Sequence, residues 1–210
     1  MIKKNLKILI ITSIVILLPM IAGIALWNQL PQEIPYHWNA AGEVDGWASK
    51  AMAVFGTPAL MLALQWLTVV ATLTDPKKQN HSQKVLQLIF WIIPMLTVVL
   101  SAVIYATALG GKIRVEMIAP ILLGILFIAI GNYLPKCQQN YTIGIKIPWT
   151  LHSEENWSRT HRLAGYVWVV GGVVMTLSGF INLFWLSLPT VLCMVLIPVV
   201  YSFILSRKGI

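Results

Sequence analysis

Five long uncharged stretches dominate the pattern of hydrophobic and polar residues along the chain. Asp, Glu, Lys and Arg are absent from residues 8–32, 51–74, 85–111, 117–135 and 163–206. A helix needs about 20 mostly apolar residues to cross a hydrocarbon core of about 30 Å, because each residue advances it by about 1.5 Å. Each of the first four stretches therefore predicts one membrane-spanning helix.

The fifth stretch is long enough for two spans. Its middle, residues 182–189, contains Trp185, a residue type common at membrane interfaces, and Pro189, which suits the first turn of a helix. We therefore predict a tight helical hairpin here, and six spans in a single membrane domain of residues 1–210. The spans lie near residues 8–27, 52–73, 85–108, 117–134, 163–181 and 189–205.

Composition supports this all-α integral membrane class. Hydrophobic residues make up 58% of the chain and charged residues 10%, whereas charged residues make up about 25% of an average soluble domain. A soluble domain of this size could not cover so much apolar surface, which argues against a water-soluble enzyme. The apolar N-terminal stretch exceeds the core of a typical signal peptide and has no clear cleavage site, so we interpret it as a retained anchor.

The basic residues predict the orientation of the helices in the membrane. With the N-terminus in the cytoplasm, six spans return the C-terminus to the same side, and most basic residues then follow the positive-inside rule. The net charge of +8 therefore indicates contact with anionic headgroups of the lipid bilayer, not direct nucleic acid binding. The outer basic residues are Lys50, Lys112 and Arg114, and the inner ones are Lys3, Lys4, Lys7, Lys77, Lys78, Lys84, Lys136, Lys146, Arg159, Arg162, Arg207 and Lys208.

The predicted spans contain no Asp, Glu, Lys, Arg or His. A charge at the bilayer centre costs about 3 kcal/mol, so chains that keep one usually handle ions, protons or substrates with it. Mild polar residues such as Gln65, Thr68 and Thr97 typically hydrogen-bond between helices or to their own backbone. No zinc helix, nucleophile elbow or phosphate loop occurs either. We predict no catalytic residue and no cofactor, and a small transporter is disfavoured.

The predicted outer loop, residues 28–50, is rich in proline, glycine and aromatic residues, a composition that favours an ordered cap on the membrane. Its Glu33, His37 and Asp45 are ligand types that divalent metals use, but their spacing matches no metal signature. We interpret the loop as a cap or a recognition surface, with metal binding as the alternative. Its candidate recognition residues are Pro35, His37, Trp38, Asn39 and Asp45.

The predicted inner loop, residues 135–162, ends in an interfacial helix. Ser153 is a typical N-cap before acidic residues of a first turn, so we expect a helix that starts near residue 154 and continues into the fifth span. Glu155 and Arg159 form a favourable i, i+4 pair on it. One face of this helix carries Trp157, His161, Ala164 and Trp168. We expect this face to pack or to anchor the helix, with a binding surface as the alternative.

Two segments of the chain resemble a known family. Residues 143–151, which read IGIKIPWTL, resemble the signature segment of the bacterial SdpI immunity proteins, which lies between the fourth and fifth spans there as well. The match continues with Glu155, Trp157 and Arg162. The outer segment resembles a small membrane module of unknown function that often precedes it in this family. The outer matching residues are Leu30, Pro31, Ile34, Pro35, His37, Trp38, Asn39, Gly42, Asp45, Gly46 and Lys50.

The resemblance implies a multi-span immunity or signalling protein of the bacterial plasma membrane, without enzymatic activity. The member that names the family protects its cell from a secreted, membrane-active toxin peptide and recruits a transcriptional autorepressor to the membrane. A toxin would meet the outer loop, and a repressor would meet the inner loop. The inner residues expected to bind this partner are Lys146, Pro148, Trp149, Thr150, Glu155, Trp157 and Arg162. The alternative is a membrane-surface enzyme or metal-dependent protein that uses the outer residues Glu33, His37 and Asp45, or the inner residues His152, Glu155 and His161.

Overall fold

The computed structural model describes residues 2–39 and 41–210, with side chains from Asn5 onward. Ala40 and the side chains of Lys3 and Lys4, two of the basic residues counted as inner, lie outside that part. Six of the described helices are long and apolar enough to cross a membrane, which confirms the predicted spans. The helices are α1 Ile2–Ala25, α2 Thr57–Leu73, α3 Gln83–Ala108, α4 Val115–Tyr133, α5 Pro148–His152, α6 Glu154–Phe180 and α7 Ser187–Arg207.

The chain forms two compact units, and the first comprises Met1–Leu73 and Gln87–Val115. Helices α1 and α2 pack against each other in it. Buried polar side chains add hydrogen bonds between helices. The Nε2 of Gln65 donates to the carbonyl of Phe90 (3.0 Å), and the Tyr105 hydroxyl donates to the carbonyl of Pro19 (3.1 Å). Gln65 thus has the interhelical role predicted for the polar residues of the spans.

The segment after α1 folds into an antiparallel β-hairpin of β1 Glu33–Trp38 and β2 Val44–Ser49. We expected an ordered loop here and did not anticipate strands. Two strands alone are marginally stable in water, so the hairpin depends on its inner face, where Ile34 joins a buried cluster with Leu30 and Val54. A π-helical turn over Met52–Gly56 then leads into α2.

The second unit comprises Thr74–Leu86 and Glu116–Ile210, and in it α6 packs against α7. Glycines let α4 and α6 meet backbone to backbone. A Cβ atom added at Gly172 would lie 2.5 Å from the carbonyl oxygen of Gly124, and one at Gly165 would lie 2.9 Å from that of Gly131. Only glycine tolerates such an approach, which is typical of closely packed membrane helices.

The ends of the helices confirm two predictions. Ser153 caps α6 by accepting a hydrogen bond from the backbone N–H of Asn156 (3.1 Å), and α6 continues unbroken into the fifth span. Asn182 adopts a left-handed conformation (φ 57°) in the tight turn between α6 and α7. Pro148 starts the short helix α5, because a fixed φ and a missing N–H suit the first helical position. The orientation of the termini and the single-domain organisation stay predictions.

Candidate functional site

The second unit carries a polar surface built from two loops, residues 74–82 and 137–147, together with α5 and the first two turns of α6. We call it the polar platform. At its centre the buried carboxylate of Asp75 accepts three hydrogen bonds. They come from the backbone N–H groups of Lys77 (2.7 Å) and Tyr141 (2.9 Å) and from the hydroxyl of Thr142 (2.8 Å). One side chain therefore joins two loops more than 60 residues apart in sequence.

His81 completes this cluster and shares its burial. Its Nε2 lies 3.4 Å from Oδ2 of Asp75 and 3.3 Å from Oγ1 of Thr142. Burial alone would raise the pKa of Asp75, but its hydrogen bonds and the nearby imidazole outweigh burial and lower that pKa. Burial lowers the pKa of His81 more than the neighbouring carboxylate raises it. At neutral pH the cluster thus holds a charged Asp75 beside an uncharged His81.

Gln139 makes a second connection between the loops. Its side-chain oxygen accepts a hydrogen bond from Nζ of Lys77, and its backbone carbonyl accepts one from Nδ2 of Asn80 (2.7 Å). Its Nε2 donates to the backbone carbonyls of Thr150 (2.8 Å) and Leu151 (3.0 Å) in α5. Gln139 thereby connects the loop of residues 74–82 to α5, and its buried side-chain amide is hydrogen-bonded at both its oxygen and its nitrogen, as buried polar groups require.

The turn before the signature segment is shaped by Asn140. Its Oδ1 accepts hydrogen bonds from the backbone N–H groups of Thr142 (2.9 Å) and Ile143 (2.6 Å), a local pattern characteristic of Asn in turns. Gly144 follows with φ +117°, and a Cβ there would lie 2.4 Å from Nε2 of His161. Glycine is required at residue 144 by both its backbone conformation and the adjacent imidazole.

His161 holds the signature segment against α6. Its Nε2 accepts a hydrogen bond from the backbone N–H of Ile145 (2.9 Å), so the ring proton lies on Nδ1, which donates to the carbonyl of Trp157 (2.8 Å). The two rings stack with centroids 4.0 Å apart, and the indole Nε1 of Trp157 donates to the carbonyl of Cys137 (2.7 Å). Burial raises the pKa of the Cys137 thiol to about 11, so this thiol is not a nucleophile at neutral pH.

The inner residues expected to bind a partner fall into two groups. Thr150 and Trp157 are buried, and Trp149 is half-buried against Phe203, with ring centroids 5.0 Å apart. These three hold the segment in place. The exposed members are Lys146, Pro148, Glu155 and Arg162. Glu155 pairs with Arg159 at 2.6 Å as predicted.

A polar cavity of about 620 Å³ opens beside the platform. Lys136 and Glu154 place opposite charges at its wall, and Ser158 adds a hydroxyl group. The buried face of α6 closes it through Trp157. On the predicted face, Trp157, His161 and Ala164 are buried, and Trp168 is half-buried with its Nε1 donating to the carbonyl of Met194 (3.0 Å), so this face packs against the rest of the unit.

Some of the predicted outer residues contact one another in the hairpin. Nδ1 of His37 lies 2.6 Å from Oδ1 of Asp45 on the exposed surface. Asn39 shapes the turn, because its Oδ1 accepts hydrogen bonds from the backbone N–H groups of Ala41 (2.9 Å) and Glu43 (3.0 Å). The remaining predicted residues have structural positions: Pro35 lies opposite Trp47 across the strands, and Trp38 packs against the buried cluster.

The described side chains support neither the outer nor the inner metal-binding alternative. No group of three His, Cys, Asp or Glu side chains in the described part of the chain is placed to hold a metal ion. Nδ1 of His152 donates to the carbonyl of Pro148 (2.6 Å), Glu155 pairs with Arg159, and His161 is bonded on both ring nitrogens. The three inner candidates therefore act separately.

Several residues that organise these surfaces were not identified from the sequence. Asp75, His81 and Gln139 were missed, although a carboxylate and an imidazole in a short loop between two spans were an available signal. The sequence also did not reveal that Lys50 is buried, with its Nζ donating to the carbonyl of Trp27 (2.9 Å) and lying 5.0 Å from the centre of that ring. Asn156, fully buried, donates to the carbonyl of Ser202 (3.0 Å).

Six apolar helices with two ordered polar surfaces define the class: the chain is a multi-pass integral membrane protein. Comparison with known proteins shows what this chain is similar to. Residues 136–202 match the model of the SdpI/YfhL protein family, and residues 14–62 match a domain of unknown function, DUF1648. The predicted resemblance to the SdpI family is confirmed.

One curated relative covers most of the chain. The Immunity protein SdpI of Bacillus subtilis (strain 168) is 28% identical over 182 residues, which is 85% of this chain and 82% of that protein. No solved structure is significantly similar to the chain. The first family match includes the whole signature segment and all of α6, and the second includes the whole hairpin.

Proposed function

We propose that this protein is a non-enzymatic immunity protein of the bacterial plasma membrane that protects its cell from a membrane-active toxin peptide. The single observation that carries the proposal is the similarity to SdpI over 85% of the chain. The geometry supports it, because the hairpin and the platform are both ordered and surface-exposed, whereas the donor sets needed for metal or acid-base chemistry are separated.

The exposed face of the hairpin is the proposed contact for the toxin. Residues opposite one another on paired strands share a face, so Glu33, Pro35 and Trp47 lie together with Asp45, which precedes Trp47 by two residues. Trp47 is 53% exposed although it is large and apolar. An exposed aromatic ring beside a carboxylate is a suitable contact for a peptide at the membrane interface.

An immunity assay tests this proposal. The chain is produced in Bacillus subtilis cells that lack their own SdpI, and survival is measured in the presence of the toxin to which those cells become sensitive. We expect the wild-type chain to restore growth and the Trp47→Ala variant to lose most of that protection at an equal level in the membrane. The matched control is Trp185→Ala, because Trp185 is 66% exposed in the turn before α7. Failure of the wild-type chain to protect would contradict the proposal.

The platform is the proposed contact for a transcriptional repressor. Lys146, Pro148 and Glu155 are exposed there, while the buried residues beneath them fix the shape of the segment. Helix α6 joins the platform to the membrane core without a break, so a toxin that binds one packing of the helices better than another could change this surface.

Recruitment is tested with a fluorescent repressor expressed in the same cells. We expect Lys146→Glu to leave the repressor in the cytoplasm during toxin exposure, because it reverses an exposed charge without removing a buried contact. Lys208→Glu makes the same charge change at the end of α7 and should leave recruitment intact. Equal recruitment by both variants would place the repressor contact elsewhere, without affecting the immunity assay.

The proposed orientation places both termini in the cytoplasm. The positive-inside count supports it. In a background without the two native cysteines, an introduced cysteine at Ser49 should react with a membrane-impermeant thiol reagent in intact cells, and one at Lys146 should react only after lysis. The reverse pattern would contradict this orientation.

A further inference from the structure

A basic cavity lies at the end of the fifth and sixth spans in the second unit. Its volume is about 350 Å³, and Arg159, Arg162 and Tyr166 of α6 line it together with Tyr201 of α7. Arg159 and Arg162 are three residues apart, so they lie on one side of the helix. Glu155 pairs with Arg159 (2.6 Å), so two guanidinium groups and one carboxylate leave the site positive.

The basic cavity lies at the point along α6 where the charged residues end and the uncharged stretch begins. Arg162 is the last charged residue before the uncharged stretch of residues 163–206. A helix that enters hydrocarbon at this point places its last arginine at the depth of the lipid headgroups. Tyr166, one turn further along, is 69% exposed and places its ring at the same interface.

An apolar groove continues from the basic cavity into the span. It has a volume of about 450 Å³, runs between α6 and α7, and shares Tyr166 with the basic cavity. Val170 and Val174 form one wall and Cys193 and Ile197 the other. Gly171 is part of the lining, and Met194 of α7 packs against it, since a Cβ atom there would lie 2.5 Å from the Met194 sulfur.

We propose that α6 and α7 bind one anionic phospholipid, with its phosphate at Arg159 and Arg162 and an acyl chain in the groove below Tyr166. The continuity of a positive cavity with an apolar groove carries the inference, since a free anion would use the first and not the second. Guanidinium groups bind phosphate oxygens in a two-pronged geometry, and basic pockets between membrane helices are suited to anionic headgroups.

The site does not depend on the proposed immunity function. It does affect the surface available to a soluble partner, because a lipid bound at Arg162 would cover that side chain. Lys146, Pro148 and Glu155 then remain as the exposed members of the predicted partner-binding set.

The test measures phospholipid binding to the full-length protein in mild detergent by native mass spectrometry. Phosphatidylglycerol is compared with phosphatidylcholine of the same acyl chains. We expect the wild-type protein to retain one phosphatidylglycerol in preference to phosphatidylcholine. The double variant Arg159→Gln/Arg162→Gln should weaken phosphatidylglycerol binding by about 25-fold, since each basic group near the headgroups contributes about fivefold.

Two further variants separate this site from a diffuse basic surface. Arg207→Gln/Lys208→Gln removes the same charge at the end of α7, outside the cavity, and should change the affinity less than twofold. Val170→Trp fills the groove and should weaken phosphatidylglycerol binding while every charge remains. Circular dichroism checks that each variant is folded.

Four results would overturn the proposal. They are equal retention of the two lipids by the wild-type protein, unchanged binding by the Arg159→Gln/Arg162→Gln variant, an equal loss in the Arg207→Gln/Lys208→Gln control, and a protein dimer without lipid that Val170→Trp dissociates. The last result would show that a second copy of the chain occupies the groove.

Discussion

The β-hairpin and the polar platform differ in where their polar groups point. In the hairpin, the contact between His37 and Asp45 is exposed, and the buried face is apolar around Ile34. In the platform, the carboxylate of Asp75 and the imidazole of His81 are buried. The carboxylate accepts a hydrogen bond from the backbone N–H of Tyr141 in a distant loop, and the imidazole lies 3.3 Å from the hydroxyl of Thr142 in the same loop. The hairpin is thus held by apolar burial, and the platform by a polar network.

This difference indicates which substitutions test binding and which test folding. Removing an exposed polar group costs little stability, whereas removing one partner of a buried hydrogen bond leaves the other without water or a partner. Variants of the hairpin's outer face therefore test recognition directly. Variants inside the platform test whether the surface exists at all.

The largest effect is expected for Asp75→Ala. The substitution leaves the backbone N–H groups of Lys77 and Tyr141 and the hydroxyl of Thr142 without their acceptor, so we expect the free energy of unfolding to fall by about 3 to 5 kcal/mol. It is measured by SDS titration of the purified protein in mixed micelles. The matched control is Asp45→Ala in the hairpin, with an expected change below about 0.5 kcal/mol. Equal losses in the two variants would remove the contrast between the regions.

A smaller effect is expected for His161→Phe. Phenylalanine can still stack on Trp157, but it cannot accept the hydrogen bond from the backbone N–H of Ile145, so the loss should be about 2 kcal/mol. The same titration measures it, with His37→Phe in the hairpin as the control at a nearly unchanged stability. Faster amide exchange at Ile145 should accompany the loss. Unchanged exchange there would show that His161 does not hold the segment.

The pH dependence should also distinguish the platform. Because the folded protein lowers the pKa of His81, the unfolded chain binds the proton more readily, and the contribution of His81 to stability is fully present above about pH 6.5. It decreases as the pH falls from there toward the folded pKa. The titration is repeated at pH 7.5 and 5.5, and His81→Gln should reduce the difference between them. A difference as large in the variant as in the wild type would assign the dependence to other groups.

The smallest effect is expected for the exposed pair of Glu155 and Arg159. Exposed i, i+4 pairs contribute about 0.3 to 0.5 kcal/mol. A double-mutant cycle with Glu155→Ala and Arg159→Ala should give a coupling energy of this size that decreases in 0.5 M salt. A coupling energy above about 1.5 kcal/mol would show that the solvent exposure of a contact does not predict how much it contributes to stability in this protein.

Sequence patterns predicted the features that depend on local chemistry. Uncharged stretches of about 20 residues predicted the spans, and Ser153 with the following carboxylates predicted the start of α6, because both signals act within a few turns of helix. The residues of the signature segment also stood out. Their division into exposed Lys146 and buried Thr150 did not, since burial depends on the tertiary packing of the segment.

The missed features depend on partners distant in sequence. Asp75 receives hydrogen bonds from residues 141 and 142, a contact that no local pattern encodes. The hairpin was missed for a related reason: Pro35 and Gly46 are poor strand residues, and only the packing of Ile34 on the buried cluster stabilises the pairing. Hydrogen bonds between residues distant in sequence therefore determine the platform, and tertiary burial determines the hairpin.

The close contact of α4 and α6 limits how movement can pass along this part of the protein. The glycines of α6 at residues 165, 172 and 179 recur every seven residues, and each of them lies against the backbone of α4. Sliding α6 along α4 by a single turn would drive a larger side chain into the opposing backbone, and only a seven-residue step would restore the fit. A slide of α6 by a full turn is therefore blocked at this contact, and we expect any rearrangement of α6 against α4 to be a rotation or a tilt.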